Sequence, residues 1–335
     1  MGPFDSPEFF EALRSVDPRV EVVWLPYFES TELRTAKGLN QGRDPHGHEV
    51  PEISIDDQAK LARANAIIAM DLPAKINELA PNLQWFQGIS AGFEHLGCEQ
   101  LRDMGVAQTA ASGIGAVPIA EFVIGRLLQV WKHLRELDAR QIEHNWDMLY
   151  GTQMQGRVIG VIGLGAIGRE VAVRAKAFGM TVLATRASAK PGDVDPDVDE
   201  LFPAYALDDI FPSCDVVVLT LPSTPELTDL MDSQRIGLMA EGAILVNVSR
   251  GIHVVEPDLI AALHSGRLSA AILDVTRFEP LPEDDPLWEA PNLYLSPHSA
   301  VSLDRYEATL TRLVRDNLGR LLRGDALRNV VNDQR

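Results

Sequence analysis

Residues 156–190 read GRVIGVIGLGAIGREVAVRAKAFGMTVLATRASAK, and the fold is decided there. Val158-Ile159-Gly160-Val161-Ile162 is a short, β-branched apolar run, the pattern of a strand buried on both faces of a parallel sheet. Gly163-Leu164-Gly165-Ala166-Ile167-Gly168 follows at once, and an amphipathic segment then runs to about Phe178. Gly179 stops that helix, and residues 181–184 form a second strand. The result is a βαβ unit with G-x-G-x-x-G at its first turn. Gly163 permits the tight turn, Gly165 admits a pyrophosphate to the backbone, and Gly168 lets the helix close on the strand. The helix N-terminus, opening at Ala166 and Ile167, adds unpaired N–H groups and a partial positive charge for phosphates. A lone glycine motif is often only a turn. With a strand before it and a helix after it, this one reads as a dinucleotide site.

The end of the second strand bears on which dinucleotide. An NAD site usually places an Asp or Glu there to hold the ribose 2′-OH. This chain has Thr185-Arg186-Ala187-Ser188-Ala189-Lys190 and no acid until Asp193. A carboxylate repels a 2′-phosphate, whereas an Arg forks onto one. The acidic run just beyond (Asp193, Asp195, Asp197, Asp199, Glu200) argues instead for a merely solvated Arg186. The reading favoured here is NADP(H), with Thr185, Arg186 and Ser188 at the ribose end and NAD(H) as the alternative.

Length and composition set the frame. A chain of 335 residues is long enough for two domains with separate cores, and 46% hydrophobic with 23% charged residues is ordinary for a globular protein. A formal net charge of −18 argues against a nucleic-acid or anionic-membrane partner. No apolar stretch reaches the length of a membrane span and the N-terminus carries no secretory pattern, so a cytoplasmic protein is expected. Cys98 and Cys214 lie far apart and read as free buried thiols. His46 and His48 form an H-x-H pair without a third ligand nearby, so they read as loop residues and no metal is expected.

Taken in order, the chain suggests strands at residues 20–25, 66–70, 83–87 and 106–109, with a short helix at 73–79. Gly88-Ile89-Ser90-Ala91-Gly92 is a small-residue turn where backbone N–H groups can converge on an anion. One long helix is expected from Val117 to about Ile142, with Pro118 in its first turn. Its apolar stripe is Ile119, Phe122, Val123, Leu127, Val130, Leu134 and Leu137. Beyond the central βαβ, strands are expected at 215–221, 243–248, 270–275 and 293–295, and a last helix at 303–322. Strands alternating with helices imply an α/β fold with doubly wound parallel sheets.

In such sheets ligands bind beyond the carboxyl ends of the strands. Leu221-Pro222 ends one strand and Val248-Ser249 another, so both pairs are candidate cofactor contacts. Arg250, Glu279 and His298 also fall at strand ends. Singly each has a dull explanation: a capping Arg, a loop Glu, a loop His. Three of them at one rim of one sheet are harder to dismiss.

The order GLGAIG, VNVSRG, LDVTRFEPLPEDDPLW, SPHSA resembles the D-isomer-specific 2-hydroxyacid dehydrogenase family along nearly the whole chain. In the N-terminal hundred residues the resemblance rests mainly on QGISAGFEHL. It implies a Rossmann cofactor domain (117–303) inserted in a flavodoxin-like substrate domain (1–116 and 304–335). It also implies that Arg250 grips a 2-keto acid, that His298 is the acid/base, and that Glu279 pairs with His298. Asp274 would then contact the nicotinamide carboxamide, and Ser90, Ala91 and Gly92 would offer N–H groups to the substrate carboxylate. A homodimer through the cofactor domain is implied too.

Elementary chemistry agrees with these roles. Reducing a keto acid needs a proton at the carbonyl oxygen, and a His with a carboxylate on its other nitrogen is fixed in tautomer and favoured as imidazolium. An Arg fork recognises a planar carboxylate. Two departures stand out: Ser299-Ala300-Val301 replaces the family's Gly-containing run, and Thr276-Arg277-Phe278 places Arg277 near the site. Trp146 and Trp288 read as packing residues. The expectation is an NADP(H)-preferring reductase of small 2-keto acids such as glyoxylate or hydroxypyruvate. The alternatives are a dehydrogenase of another D-2-hydroxy acid, including 3-phosphoglycerate, and a dinucleotide-sensing corepressor.

Overall fold

The computed structural model describes residues 6–39, 42–93, 95–96 and 98–331, and these fall into two units. The first comprises the described residues up to Ile114 together with residues 303–331; the second is Gly115–Ser302.

In the first unit, β1 (Ala66–Ala69), β2 (Trp85–Gly88) and β3 (Ala107–Thr109) form a parallel sheet in that order. Trp85 and Phe86, neighbours on β2, join different cores, as the two-residue period of a strand requires. Trp85 packs with Phe9 and Leu13 of the helix Pro7–Arg14 and with Leu310 and Val314 of the helix Tyr306–Arg323. Phe86 packs with Ile76, Leu101 and Val106. The buried Asn317 donates Nδ2 to Gln87 Oε1 at 3.3 Å, tying the C-terminal helix to the middle strand.

The second unit holds β4 (Val158–Ile162), β5 (Thr181–Arg186), β6 (Glu200–Pro203), β7 (Val216–Leu219), β8 (Ala243–Asn247), β9 (Leu268–Leu273) and β10 (Leu293–Leu295). All neighbours are parallel, in the order β10-β9-β8-β7-β4-β5-β6. The chain winds outward from β4 to β6, then returns to β7 on the other side of β4. This is the Rossmann arrangement, and the crevice at the reversal lies between β4 and β7. Val161, Val182, Val218, Val246 and Ile272 fill one face, and Ile162, Leu183, Leu219, Leu245 and Leu273 fill the other.

Four expectations need correction. The described residues 20–30 contribute no strand; Val20 and Val22 are pressed against the first core, but the backbone enters no ladder. The long helix is two helices, Ala116–Trp131 and Leu134–Ile142, separated by His133 at φ 54. The break has a tertiary cause, since Trp131 O accepts from Thr152 N at 2.6 Å rather than from the next helical turn. The first helix buries Ala120, Val123, Ile124, Leu127 and Trp131, while none of the described residues of the second is buried. The acidic run ends in the unforeseen edge strand β6, where Leu201 and Pro203 are buried. Trp146 and Trp288 are not packed: Trp146 is 96% exposed in an irregular segment, and Trp288 is about half exposed with Nε1 donating to Pro282 O. Cys214 is buried and Cys98 half-buried, both free.

Candidate functional site

The turn after β4 is shaped by three glycines with different surroundings. Gly163 has φ 104, and a Cβ there would lie 2.9 Å from Thr220 O, at the end of β7. A Cβ on Gly168 would collide with Gly163 O. Gly165 differs, because a Cβ there would meet no described atom within 4 Å. The helix Ala166–Ala177 begins at Gly165, and no described side chain caps its first turn. Open space over a glycine and uncapped N–H groups are what a diphosphate requires, so the residues present fit a dinucleotide. Thr185 is buried and serves the turn itself: its Oγ1 accepts from Gly163 N at 3.2 Å, and its carbonyl accepts from Leu164 N at 2.7 Å.

Arg186, at the end of β5, donates Nη1 to Asp195 Oδ2 at 2.9 Å. Its Nε is buried and has no hydrogen-bond partner among the described residues. Arg169 also grips Asp195, at 2.7 and 2.9 Å, and reaches Asp197. The Arg169 hydrogen bond, joined by Asp197 N–H and Arg186, holds the Asp195 carboxyl well below the usual range against the opposing effect of burial. Ser188 is exposed beside this cluster.

The candidate catalytic residues come from loops after β8, β9 and β10. His298 stands at φ 52, a left-handed conformation uncommon outside glycine. It is kept there because its N–H is shared by Asp274 O at 2.8 Å and Ser296 O at 3.0 Å. Its Nδ1 lies 2.8 Å from Glu279 Oε2, while Glu279 Oε1 accepts from Thr276 N at 3.2 Å. The hydrogen bond to Glu279 raises the His298 pKa above its ordinary value, outweighing burial and the nearby Arg250 charge. Burial alone would raise the Glu279 carboxyl; the His298 bond and charge, Thr276 N–H and the Arg250 charge more than offset it and leave it lowered. Arg250, half-buried, donates Nη1 to Ser249 O at 2.8 Å. Arg250, Glu279 and His298 are thus close enough to sense one another's charge.

Asp274 is buried, and its carboxylate organises the His298 loop. It accepts from Ser296 Oγ at 2.6 Å, Ser299 N at 2.9 Å and Ala300 N at 3.0 Å. Arg277 is drawn away to Asp229 and to the carbonyls of Ile252 and Val254, so it clamps the segment that follows Arg250. Val248 packs in the sheet core, and the Ser249 hydroxyl faces Asn247 and His253.

Two residues went unnoticed in the sequence. A Cβ on Gly251 would collide with the Thr276–Arg277 backbone, so only glycine lets the Arg250 loop meet the loop after β9. The G after the R in VNVSRG was the available signal. His253, fully buried between two strand-end loops, carried no signal beyond being a His after a strand.

The family profile described as "D-isomer specific 2-hydroxyacid dehydrogenase, NAD binding domain" matches residues 124–300, more than half the chain. The chain belongs to this family. A glyoxylate/hydroxypyruvate reductase B from Yersinia pestis is 32% identical over 265 residues, covering 77% of this chain and 80% of the relative. A D-3-phosphoglycerate dehydrogenase from Methanocaldococcus jannaschii is 29% identical over 91% of this chain, which spans 56% of that enzyme's length. The crystal structure of a D-isomer specific 2-hydroxyacid dehydrogenase from Xanthobacter autotrophicus Py2, in complex with NADPH and MES, superposes with a TM-score of 0.75. It has 25% identity and covers 99% of this chain and 96% of that one.

Membership makes the second unit a nicotinamide-dinucleotide-binding domain of a dehydrogenase. Ser90, Ala91 and Gly92 belong to the first unit, where Ser90 Oγ donates to Gly92 O at 2.8 Å and Ser90 O accepts from Ala111 N at 2.9 Å. His46 and His48 lie in an irregular segment, with His48 Nδ1 2.8 Å from Asp44 Oδ1. Among the described residues, no helix is long and apolar enough to cross a membrane.

Proposed function

We propose that this 2-hydroxyacid dehydrogenase is an NADP(H)-preferring reductase of small 2-keto acids, with glyoxylate and hydroxypyruvate as leading substrates. The observation that carries the reading is the His298–Glu279 pair at 2.8 Å, beside the Arg250 charge, on one rim of the Rossmann sheet. When bound, the reduced nicotinamide supplies a hydride to the carbonyl carbon. His298 Nε2–H gives its proton to the carbonyl oxygen, and Glu279 at Nδ1 holds the tautomer and stabilises the imidazolium before transfer. Arg250 takes the planar carboxylate in a fork and polarises the adjacent carbonyl.

The NADP(H) preference rests on Arg186 and on the lack of an acid at the end of β5. The X. autotrophicus relative, whose structure holds NADPH, supports it. A phosphoglycerate substrate is the second reading, supported by the M. jannaschii relative. A steady-state panel of glyoxylate, hydroxypyruvate and 3-phosphohydroxypyruvate with NADPH and NADH tests both. Keto-acid-dependent loss of NADPH absorbance is expected, fastest with the two small acids. No turnover with any 2-keto acid would remove the enzyme reading.

A further inference from the structure

His253 follows Arg250 by three residues and is completely buried. Its Nε2 lies 3.1 Å from Pro222 O, and its Nδ1 lies 2.9 Å from Ser249 Oγ. A carbonyl oxygen only accepts, so Nε2 carries the proton. Burial pushes the imidazole pKa down to about 4, against the Pro222 bond, and the Arg250 charge lowers it further. The ring is therefore neutral at ordinary pH, Nδ1 faces the Ser249 hydroxyl as an acceptor at 2.9 Å, and the single proton of that hydroxyl is shared with Asn247 Oδ1 at 2.8 Å. Asn247 completes the arrangement. Its Oδ1 accepts Ser249 N–H at 3.0 Å, and its Nδ2 donates to Arg250 O at 2.8 Å.

One ring thus fastens the loop after β8 to the loop after β7. Each loop carries a proposed function. On one side, Ser249 O receives Arg250 Nη1 at 2.8 Å. On the other, Pro222 stands two residues beyond Thr220, whose hydroxyl donates to Gly163 O at 2.7 Å in the glycine turn. A continuous path of hydrogen bonds and short backbone links joins the guanidinium to the phosphate turn, and His253 is its middle member.

We propose that His253 is a positioning residue for the reaction, whose ring sets the Arg250 loop against the Leu221–Pro222 loop. This rests on the reading above, in which Arg250 binds the keto acid and the dinucleotide lies along the Gly163 turn. A His that only stabilised the fold would leave both binding steps alone, or weaken both in parallel.

Two conservative substitutions separate the links. His253→Gln places an amide N–H near the old Nε2, keeping Pro222 and losing Ser249. His253→Asn places an amide near the old Nδ1, keeping Ser249 and losing Pro222. His253→Gln should raise KM for the keto acid by roughly 5- to 30-fold, the effect of one buried hydrogen bond, with NADPH binding unchanged. His253→Asn should weaken NADPH binding by a similar roughly 5- to 30-fold factor, with a smaller change in keto-acid KM. Fluorescence titration of NADPH and steady-state kinetics read the two separately, with thermal midpoints recorded alongside.

Ser249→Ala removes a single hydroxyl and should reproduce His253→Gln, which keeps the test open if the His253 variants fail to fold. Parallel changes in both constants, or an unchanged KM in Ser249→Ala, would overturn the proposal. Arg250→Ala and His298→Asn serve as controls on the underlying reading. If they retain turnover, the site assignment itself fails; if they lose it while the split is absent, only the role of His253 fails.

Discussion

Arg186 spends one Nη on Asp195, at 2.9 Å, and keeps a buried Nε without a partner among the described residues. The residue proposed to hold a 2′-phosphate is therefore neither fully committed to a structural ion pair nor simply solvated. Asp195 sits between Arg186 and Arg169, and the Arg169 hydrogen bond, joined by that of Arg186, keeps its carboxyl ionised despite its burial. Arg186→Ala should weaken NADPH by roughly 10- to 150-fold, the worth of a charge-assisted hydrogen bond, and leave NADH nearly untouched. Asp195→Asn should act in the opposite sense on the ratio, raising NADPH over NADH binding by roughly two- to fivefold as a like charge is removed. Taking the ratio cancels any common loss of stability. Equal effects on both dinucleotides would sink the assignment of Arg186.

Gly251 gives a steric prediction. The methyl group of Gly251→Ala must push back the Thr276–Arg277 backbone, which cannot yield as a flexible side chain does. Overpacking of this kind costs about 1–3 kcal/mol. Of the two loops forced apart, that of Gly251 carries Arg250 and that of Thr276–Arg277 leads to Glu279, so a rise in keto-acid KM should accompany the fall in thermal midpoint. A variant with wild-type kinetics and midpoint would mean that the two loops do not meet as described.

The sheet of the second unit was legible because its strands are uninterrupted apolar runs, which leave few alternatives to a buried parallel strand. Arg250, Glu279 and His298 were legible because three strand ends delivered them in order. What the sequence hid depended on contacts distant in the chain. Nothing in Lys132-His133 announces a break, since the helix ends where Thr152 N, twenty-one residues on from Trp131, takes the carbonyl. β6 was masked by the acids that precede it, although Leu201 and Pro203 needed only an edge to join. The VEVVW run looked like a strand, and Val20 and Val22 do pack against the first core, yet it lacks a partner in the ladder.

Assembly is the third prediction. Trp131, at the end of the first of the two helices, is buried in the core of its own unit, with Arg157 5.9 Å from its ring centroid. The exposed apolar surface lies further on, at Ile142, Trp146, Met148 and Tyr150. Four large apolar side chains on nine consecutive residues are more than a lone soluble chain usually displays. We expect a homodimer in which this segment is covered, so light scattering at micromolar concentration should give twice the 36.8 kDa chain mass. Trp146→Ser should shift the population toward monomer without lowering the thermal midpoint of the monomer. A wild-type mass of a single chain would contradict the proposal.

The proton is the last. His298→Asn should leave NADPH binding intact and lower turnover by about 10²–10⁴, the usual share of a positioned general acid. Glu279→Gln separates the charge from the hydrogen bond. In the wild type, Glu279 raises the His298 pKa, so the acid form needed for reduction persists to higher pH and is lost as pH climbs through the raised value. Removing the carboxylate removes the leading cause of that rise, while burial and Arg250 still push down. The alkaline limb of kcat/KM for keto-acid reduction should therefore move to lower pH, with activity near neutrality falling less than activity at alkaline pH. Arg250→Ala should instead raise KM and lower kcat together at every pH, since its contact begins in the bound keto acid and strengthens as the carbonyl oxygen gains charge. An alkaline limb in Glu279→Gln that coincides with the wild type would assign the titration to another group and remove His298 from the role of acid.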